Sequence, residues 1–439
     1  MILAIVPGKI TAAREILVRH EVRHTVVGKF TGESRYTVVH DPAINEEHVI
    51  RADASRMPRS GEVGIDVPYT LLKYEPEPMP APIAPQARPV ATTWTAWTAA
   101  DLQRLSPKLL ADAEIANQMP ASMQYDSTVQ GRHTYGPYFG DPYKQRVPTS
   151  YWAAKLIPGK PFASLFTVSY NPWLFEANPR LAARQAFLAC LGKLVLAGSK
   201  LRDICLCDNF YTPHMTEDWA YWLVEMVDEV AALVRHFGTP VISGKDSSAG
   251  SVKTTDGIIS VPPAVFFSAL GKAANFDALL PNQWRSPGNL LVRIGPDCAS
   301  AAGTVAQRVL DLAGNDVDDV DFAGYLEYLR ALEGFHRRGV FSAMPVDAAG
   351  ILGVAVRETM ATGFAAHLDL APDQLLMEHR CGAILEVSPE VVDALPAALN
   401  ARIIGRIEAG PPSIKSQGIE LLTPEAQVSW QTAFERSLQ

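Results

Sequence analysis

Between Pro76 and Pro89 the sequence reads PEPMPAPIAPQARP, with a proline at nearly every second or third position. Proline has a fixed φ and no backbone N–H, so neither a helix nor an interior strand runs through such a stretch, and polyproline-like extended backbone is expected. It is a linker or a strap across a surface. Two or three domains are expected for 439 residues, more than one hydrophobic core usually organises. Hydrophobic residues at 48% and charged residues at 20% describe an ordinary globular chain. The formal charge is -8, and Lys and Arg form no run or stripe that would follow a phosphate backbone, so nucleic acid is not an expected partner.

No apolar stretch approaches the roughly 18–20 residues that span a bilayer, so no membrane association is expected. The opening MILAIVPGKI has only a few apolar residues before Pro7 and Lys9 and no small-residue cleavage site; it reads as a strand, not a signal peptide, and a cytoplasmic location is expected. The five cysteines, Cys190, Cys205, Cys207, Cys298 and Cys381, are irregularly spaced with no CxxC pair, which predicts buried free thiols in a reducing compartment.

Periodicity predicts a β-α-β-β unit at the start: LAIVP, a helix from Ala12 to His20, HTVVGKF and RYTVVHD. After the proline stretch a helix is predicted from Ala99 to Asn117, then strands around YWAAKLI and FASLFTVSY. Two helices follow: Pro179 to Ala197, stopped by Gly198, and a second begun by the N-cap Thr216 and closed by Gly238, with Trp219, Trp222, Met226, Val230 and Leu233 on one face. TPVISGKDSSAG and VPPAVFFSALGKA supply a strand, a Gly/Ser loop and another strand. Beyond Ala273 an α/β pattern is expected. It comprises strand NLLVRIG, helices Gly303 to Leu312, Phe322 to Arg338 and Gly350 to Thr362, strands AAHLDL and GAILEV, helix Pro389 to Ala401, strand ARIIGRIEAG and a tail helix.

Several of these segments, in order, resemble the PurL family of phosphoribosylformylglycinamidine synthases, of the PurM or AIR-synthase superfamily. YDSTVQG (125–131) resembles the family's YD-x-x-VQG, NPRLAARQAFLACLGKLVLAG (178–198) its DPY-helix-AVG segment, and DNFYTP (208–213) its LNFGNP. GTPVISGKDSSAG (238–250) is similar to its PV-x-GKDS loop, VPPAVFFSALGK to the PPT strand, and LLTPEAQVSW to its terminal helix. HTVVGKFTGESRYTVVHD and IDVPYTLLKYEPEPM resemble the end of the family's first B-type domain and its exit linker.

The resemblance implies a fold of α+β and α/β type: a PurM-like A domain, whose sheet pairs into a barrel, plus a PurM-like C-terminal B domain. Residues 1–75 would be a remnant of a preceding B domain, 76–98 the linker, 99–272 the A domain, 273–416 the B domain and 417–439 the tail helix. It further implies ATP-dependent amidation of formylglycinamide ribonucleotide in purine synthesis. Partners would be a second copy, or a chain carrying the N-terminal half, with a separate glutaminase for ammonia because no GxCxG elbow is present. The alternatives are a non-catalytic paralogue acting as scaffold or regulator, and a repurposed ATP-dependent amidating enzyme.

ATP or ADP is the implied cofactor, and such chemistry needs magnesium on carboxylates and donors around phosphates. Here Asn178 stands where the family has the Asp of DPY, while Ala189 and Lys193 replace a Glu and an Asn, so a hard cation loses its usual ligands. Lys193 could put a fixed positive charge there instead. The family's HD-x-SDGG becomes Met344-Pro345-Val346-Asp347-Ala348-Ala349-Gly350. The candidate nucleotide contacts are Gly244, Lys245, Asp246 and Ser247, with Asp126, Asn209 and Lys193. Gly244 to Ser247 read either as phosphate contacts or as a tight turn with a solvated lysine. Asp126 reads either as a cleft residue or as a turn cap. Asp208-Asn209 read as a loop cap or a site. His133 and His214 sit in polar loops without a carboxylate partner at a telling spacing.

Overall fold

The computed structural model describes residues 3–24, 26–28, 30, 35–40, 62–68, 80–85, 97–124, 133–247, 250–261, 263–297, 300–312, 317, 319–334, 338–376 and 381–437. The chain forms two compact units, Met1–Pro78 and Met79–Gln439.

In the first unit a helix spans Ile10–Arg19, and strand β1 (Arg35–His40) pairs antiparallel with β2 (Glu62–Pro68), with a bulge at Val38/Val39. The expected opening strand is absent: Leu3 to Val6 are unpaired and run into a 3-10 turn at Pro7–Lys9. Pro7 explains this, because its fixed φ and missing N–H suit a helix start. The described residues of HTVVGKF are not in a strand either.

The first described helix of the second unit is Ala99–Leu110, held by a reciprocal cap between Thr98 and Asp101. The expected extension to Asn117 fails because Asp112 turns the chain: its carboxylate accepts from Glu114 N at 3.0 Å and from Arg308 at 3.1 Å. The tail helix Pro424–Ser437 then pins the segment, with the buried Trp430 indole donating to Ile115 O at 2.7 Å.

The first large sheet uses β3 (His133–Tyr135), β6 (Trp152–Ala154), β7 (Ala163–Ser169), β8 (Cys205–Tyr211), β9 (Val241–Ser247) and β12 (Ala264–Ala273); the short pairs β4 (Tyr138–Phe139) with β5 (Val147–Pro148) and β10 (Ser251–Thr254) with β11 (Gly257–Ser260) stand outside it. Its order is β3-β6-β7-β12-β8-β9, antiparallel except that β8 and β9 are parallel, joined by the crossover helix Glu217–Phe237. Both long helices keep the bounds their caps predict. Asn178 Oδ1 accepts from Leu181 N at 3.1 Å, and Gly198 at φ 131° ends the first helix. Thr216 caps the second, and left-handed Gly238 closes it.

The second sheet uses β13 (Leu290–Ile294), β14 (Val340–Pro345), β15 (Ala365–Leu368), β16 (Ala383–Val387), β17 (Arg402–Glu408), β18 (Ile414–Ser416) and β19 (Ile419–Glu420), in the order β14-β16-β13-β17-β15-β18-β19. The helix Gly350–Thr362 matches expectation. Val305–Leu310 is shorter than expected, ended by left-handed Asp311 at φ 53°, and Phe322–Gly334 is helical, with residues 335–337 outside the described residues. Pro389 to Ala401 is not one helix but two 3-10 turns, Pro389–Ala394 and Ala397–Leu399, because Pro396 interrupts it and Asn400 turns left-handed.

One apolar core runs from the first sheet through the helix Pro179–Ala197 into the second, including Leu165, Phe187, Leu191, Phe267, Tyr325, Leu329 and Leu385. That helix is therefore buried on nearly all sides. Among the described residues no helix covers the opposite face of the first sheet, along which Val168, Tyr170 and Leu270 are exposed. Among the described residues no helix is long and apolar enough to cross a membrane.

Candidate functional site

The central helix brings Lys193 to the junction of the two sheets. There a cleft of about 160 Å³ is lined by the Pro148–Ser150 segment, Trp152, Val168, Lys193, Pro345, Asp347 and Arg357. Lys193 Nζ donates to Val168 O at 2.9 Å, which fixes the ammonium at the rim of β7. On the far wall β14 ends at Pro345 and turns into the helix Gly350–Thr362. Asp347 makes that turn: its Oδ1 accepts from Ala349 N at 3.0 Å, and its carbonyl accepts from Gly350 N at 2.9 Å. Gly350 sits at φ 68°, and a Cβ there would press on Leu375 O and Leu376 O at 2.9 Å.

Arg357, two turns into that helix, reaches back. Its Nη2 donates to Asp347 Oδ2 at 2.7 Å and its Nη1 to Glu114 O at 3.1 Å, from a side chain only 10% exposed. Behind it lies Glu358, whose carboxylate accepts from Trp284 N at 2.9 Å; burial pushes this carboxyl up to about 8. Glu386 is buried too, but it accepts from Arg285 N, Ser286 N, Asn289 Nδ2 and Ser342 Oγ and so organises the loop before β13. These two carboxylates hold structure rather than open onto the cleft.

The remaining predicted contacts lie elsewhere. Gly244 to Ser247 are not in a turn but in the edge strand β9, paired in parallel with β8. Lys245 Nζ bonds within its own strand, to Ser247 Oγ at 2.7 Å and Asp246 O at 3.3 Å, and Ser247 Oγ donates to Asn209 Oδ1 at 3.4 Å. Asp208 and Asn209 are strand residues, not a loop cap. A Cβ at Gly244 would meet the Asp208 carboxyl, whose pKa burial raises. The register Val168↔Ser268↔Cys207↔Ser243 places β9 three strands from the carbonyl that Lys193 holds, about 14 Å. The structure thus joins Lys245, Ser247 and Asn209, and separates them from Lys193. Asp126, Gln130 and Gly131 lie outside the described residues.

Cys190 and Cys381 are buried thiols, as expected, with Cys190 pushed up to about 12 by burial. Cys205 and Cys207 are only partly buried on β8, and Cys298 lies outside the described residues. His133 opens β3, and His214 N donates to Ser251 Oγ at 2.9 Å.

Sequence reasoning missed Arg357. Its signal was a lone Arg-Glu pair in the otherwise apolar GILGVAVRETMAT, whose residues are mostly buried. The cleft does not fit magnesium. It presents an ammonium, a guanidinium and one carboxylate already paired with that guanidinium, whereas a hard divalent cation wants several free oxygen ligands. Asn178, at the family's Asp position, is occupied as a helix cap.

No family model matches the chain. Among curated proteins, the phosphoribosylformylglycinamidine synthase subunit PurL of Ignicoccus hospitalis is 24% identical over 437 residues, covering 96% of this chain and 56% of that protein. The PurL subunit of Lactobacillus delbrueckii subsp. bulgaricus is 23% identical over 447 residues, covering 99% and 55%. The chain therefore resembles PurL over nearly its whole length, and it spans about half the length of the curated relatives it matches. Among solved structures, T. maritima PurL complexed with FGAR gives a TM-score of 0.55 at 12% identity, over 76% of this chain and 54% of that one. PurLQS from Thermotoga maritima gives 0.50 at 16% identity, over 92% and 54%. The fold is that of PurL.

Proposed function

We propose that this chain is the counterpart of one half of a PurL-type synthase and serves ATP-dependent amidation of formylglycinamide ribonucleotide together with a partner. The observation that carries the reading is the meeting of Lys193 with Asp347 and Arg357 in one cleft. The resemblance assigns both stretches to phosphate and metal handling, and the fold brings them together although they are far apart in sequence. ATP would supply the phosphoryl group that activates the amide oxygen. Lys193 and Arg357 would hold and neutralise phosphate oxygens.

In this reading residues 99–272 and 273–416 are the A and B domains, and residues 1–75 belong to a preceding B domain. The partner, a second copy or a chain carrying the N-terminal half, covers the bare face of the first sheet. That face offers Trp152 stacked on Phe166 at 5.8 Å and Tyr170 against Phe266 at 4.3 Å. We place Gly244, Lys245, Asp246, Ser247 and Asn209 at its partner-facing edge, since among the described residues β9 has no strand beyond it. Ammonia would come from a separate glutaminase.

A second reading, a scaffold or regulator without catalysis, is favoured by Asn178 acting as a helix cap and by Asp347 being tied to Arg357. One assay separates the two. The chain is supplied with ammonia, ATP and formylglycinamide ribonucleotide, alone and mixed with a separately produced N-terminal half of a PurL protein. The first reading expects no ADP release by the chain alone and steady release by the mixture. Release by the chain alone would remove the partner from the account; a silent mixture that nevertheless associates would favour the scaffold.

A further inference from the structure

We infer that the cleft between Lys193 and Arg357 is a metal-independent subsite for a compact oxyanion, a phosphate ion or the head of a phosphate monoester, with Asp347 as the internal carboxylate that the ligand displaces. The inference rests on reading this cleft as a phosphate cleft and goes beyond it by naming what enters and what does not.

Size comes first. At about 160 Å³ the cleft is well below the roughly 300–1,000 Å³ of sites that enclose a drug-sized ligand, so it takes an anionic head and not a whole nucleotide. Charge comes second. An ammonium and a guanidinium face one carboxylate, so one positive charge is left over at the mouth. Donor capacity comes third. Lys193 has three N–H donors and uses one on Val168 O; Arg357 has five and uses one each on Glu114 O and Asp347 Oδ2. The rest can converge on phosphate oxygens, with Ser150 on the same wall; the Thr149 hydroxyl already donates to Gly136 O at 2.9 Å.

Asp347 is the device that sets affinity. It holds the Arg357 fork at 2.7 Å, yet its side chain is 42% exposed and also tied to Ala349 N, so it can yield the fork without leaving its turn. An arriving phosphate competes with it for the same guanidinium edge, as bidentate Arg recognition favours. The positive charge that magnesium would otherwise bring is supplied by side chains fixed in the fold.

The test is calorimetric titration of the full chain with inorganic phosphate, with and without magnesium, on the wild type, Lys193→Met and Asp347→Asn, each checked for cooperative unfolding. The expected results are saturable binding without magnesium, a loss of about tenfold or more in Lys193→Met, and severalfold tighter binding in Asp347→Asn. Competition by ribose 5-phosphate would assign the site to monoester heads, and failure to compete would assign it to the free ion; both uphold the subsite. Absence of phosphate binding, a strict need for magnesium, or Asp347→Asn binding no better than wild type would overturn it. Phosphate binding of this pattern with no amidation in the mixed assay would leave the inference standing and remove the functional reading. Amidation without phosphate binding would do the reverse.

Discussion

Arg357 and Asp347 form a 2.7 Å ion pair in which the two partners are unequally exposed: the guanidinium side chain is 10% exposed and the carboxylate 42%. The consequence is an asymmetry in what each side chain does for the fold. Asp347→Asn keeps the bond to Ala349 N and an amide oxygen for the Arg357 fork; the less exposed guanidinium loses its counter-charge but keeps Glu114 O, so the cost should be about 1 kcal/mol. Arg357→Met takes the donor from Glu114 O and leaves Asp347 without its counter-charge, and about 2–3 kcal/mol is expected. Urea denaturation of the two variants checks the order; equal costs would contradict it.

Glu358 predicts a pH dependence. Its carboxyl is pushed from 4.5 to about 8 by burial, against the opposing pull of Trp284 N–H and Arg357. The folded state therefore keeps a proton that the unfolded state has lost, and between about pH 4.5 and 8 the unfolded chain binds fewer protons. Stability falls as pH rises through that window. Glu358→Gln should flatten the fall, measured as unfolding free energy against pH; a wild type whose stability climbs steadily across the window, with no difference in the variant, would refute the assignment.

Gly192 tests how tightly the central helix is clamped. A Cβ at this position would overlap Tyr325 Oη, which donates to Leu188 O at 3.0 Å and lies 3.2 Å from Cys381 O. Gly192→Ala should cost about 1–3 kcal/mol by overpacking. Adding Tyr325→Phe should return part of that, because it removes the atom in the way, although it also gives up a hydrogen bond. Thermal melts of the single and double variants decide; additive losses would mean that the clash is relieved elsewhere.

Much of the fold was legible because local chemistry marks it. Asn178-Pro179 and Gly198 bracket one helix, Thr216 and Gly238 the other, and both fall where the caps place them. What failed did so through tertiary context. Gly244-Lys245-Asp246-Ser247 carries turn-forming residues, yet pairing with β8 draws it into a strand. The strand Val340–Pro345 was not anticipated, because GVFSAMPVD alternates poorly and only β16 gives it a ladder partner among the described residues. At the site, Lys193 could be picked out from the resemblance, whereas Arg357 could not, because its meaning comes from Asp347 and from a helix brought back across the second sheet.

The central claim is that anions are held in the cleft beside Lys193 and not at the β9 edge beside Lys245. The direct measurement is phosphate affinity, by calorimetry, in Lys193→Met and Lys245→Met side by side at one ionic strength. The account predicts binding lost in Lys193→Met and kept within about twofold in Lys245→Met, whose ammonium is exposed and bonded within its own strand. Loss in Lys245→Met with Lys193→Met unchanged would move the site to the sheet edge and contradict the account.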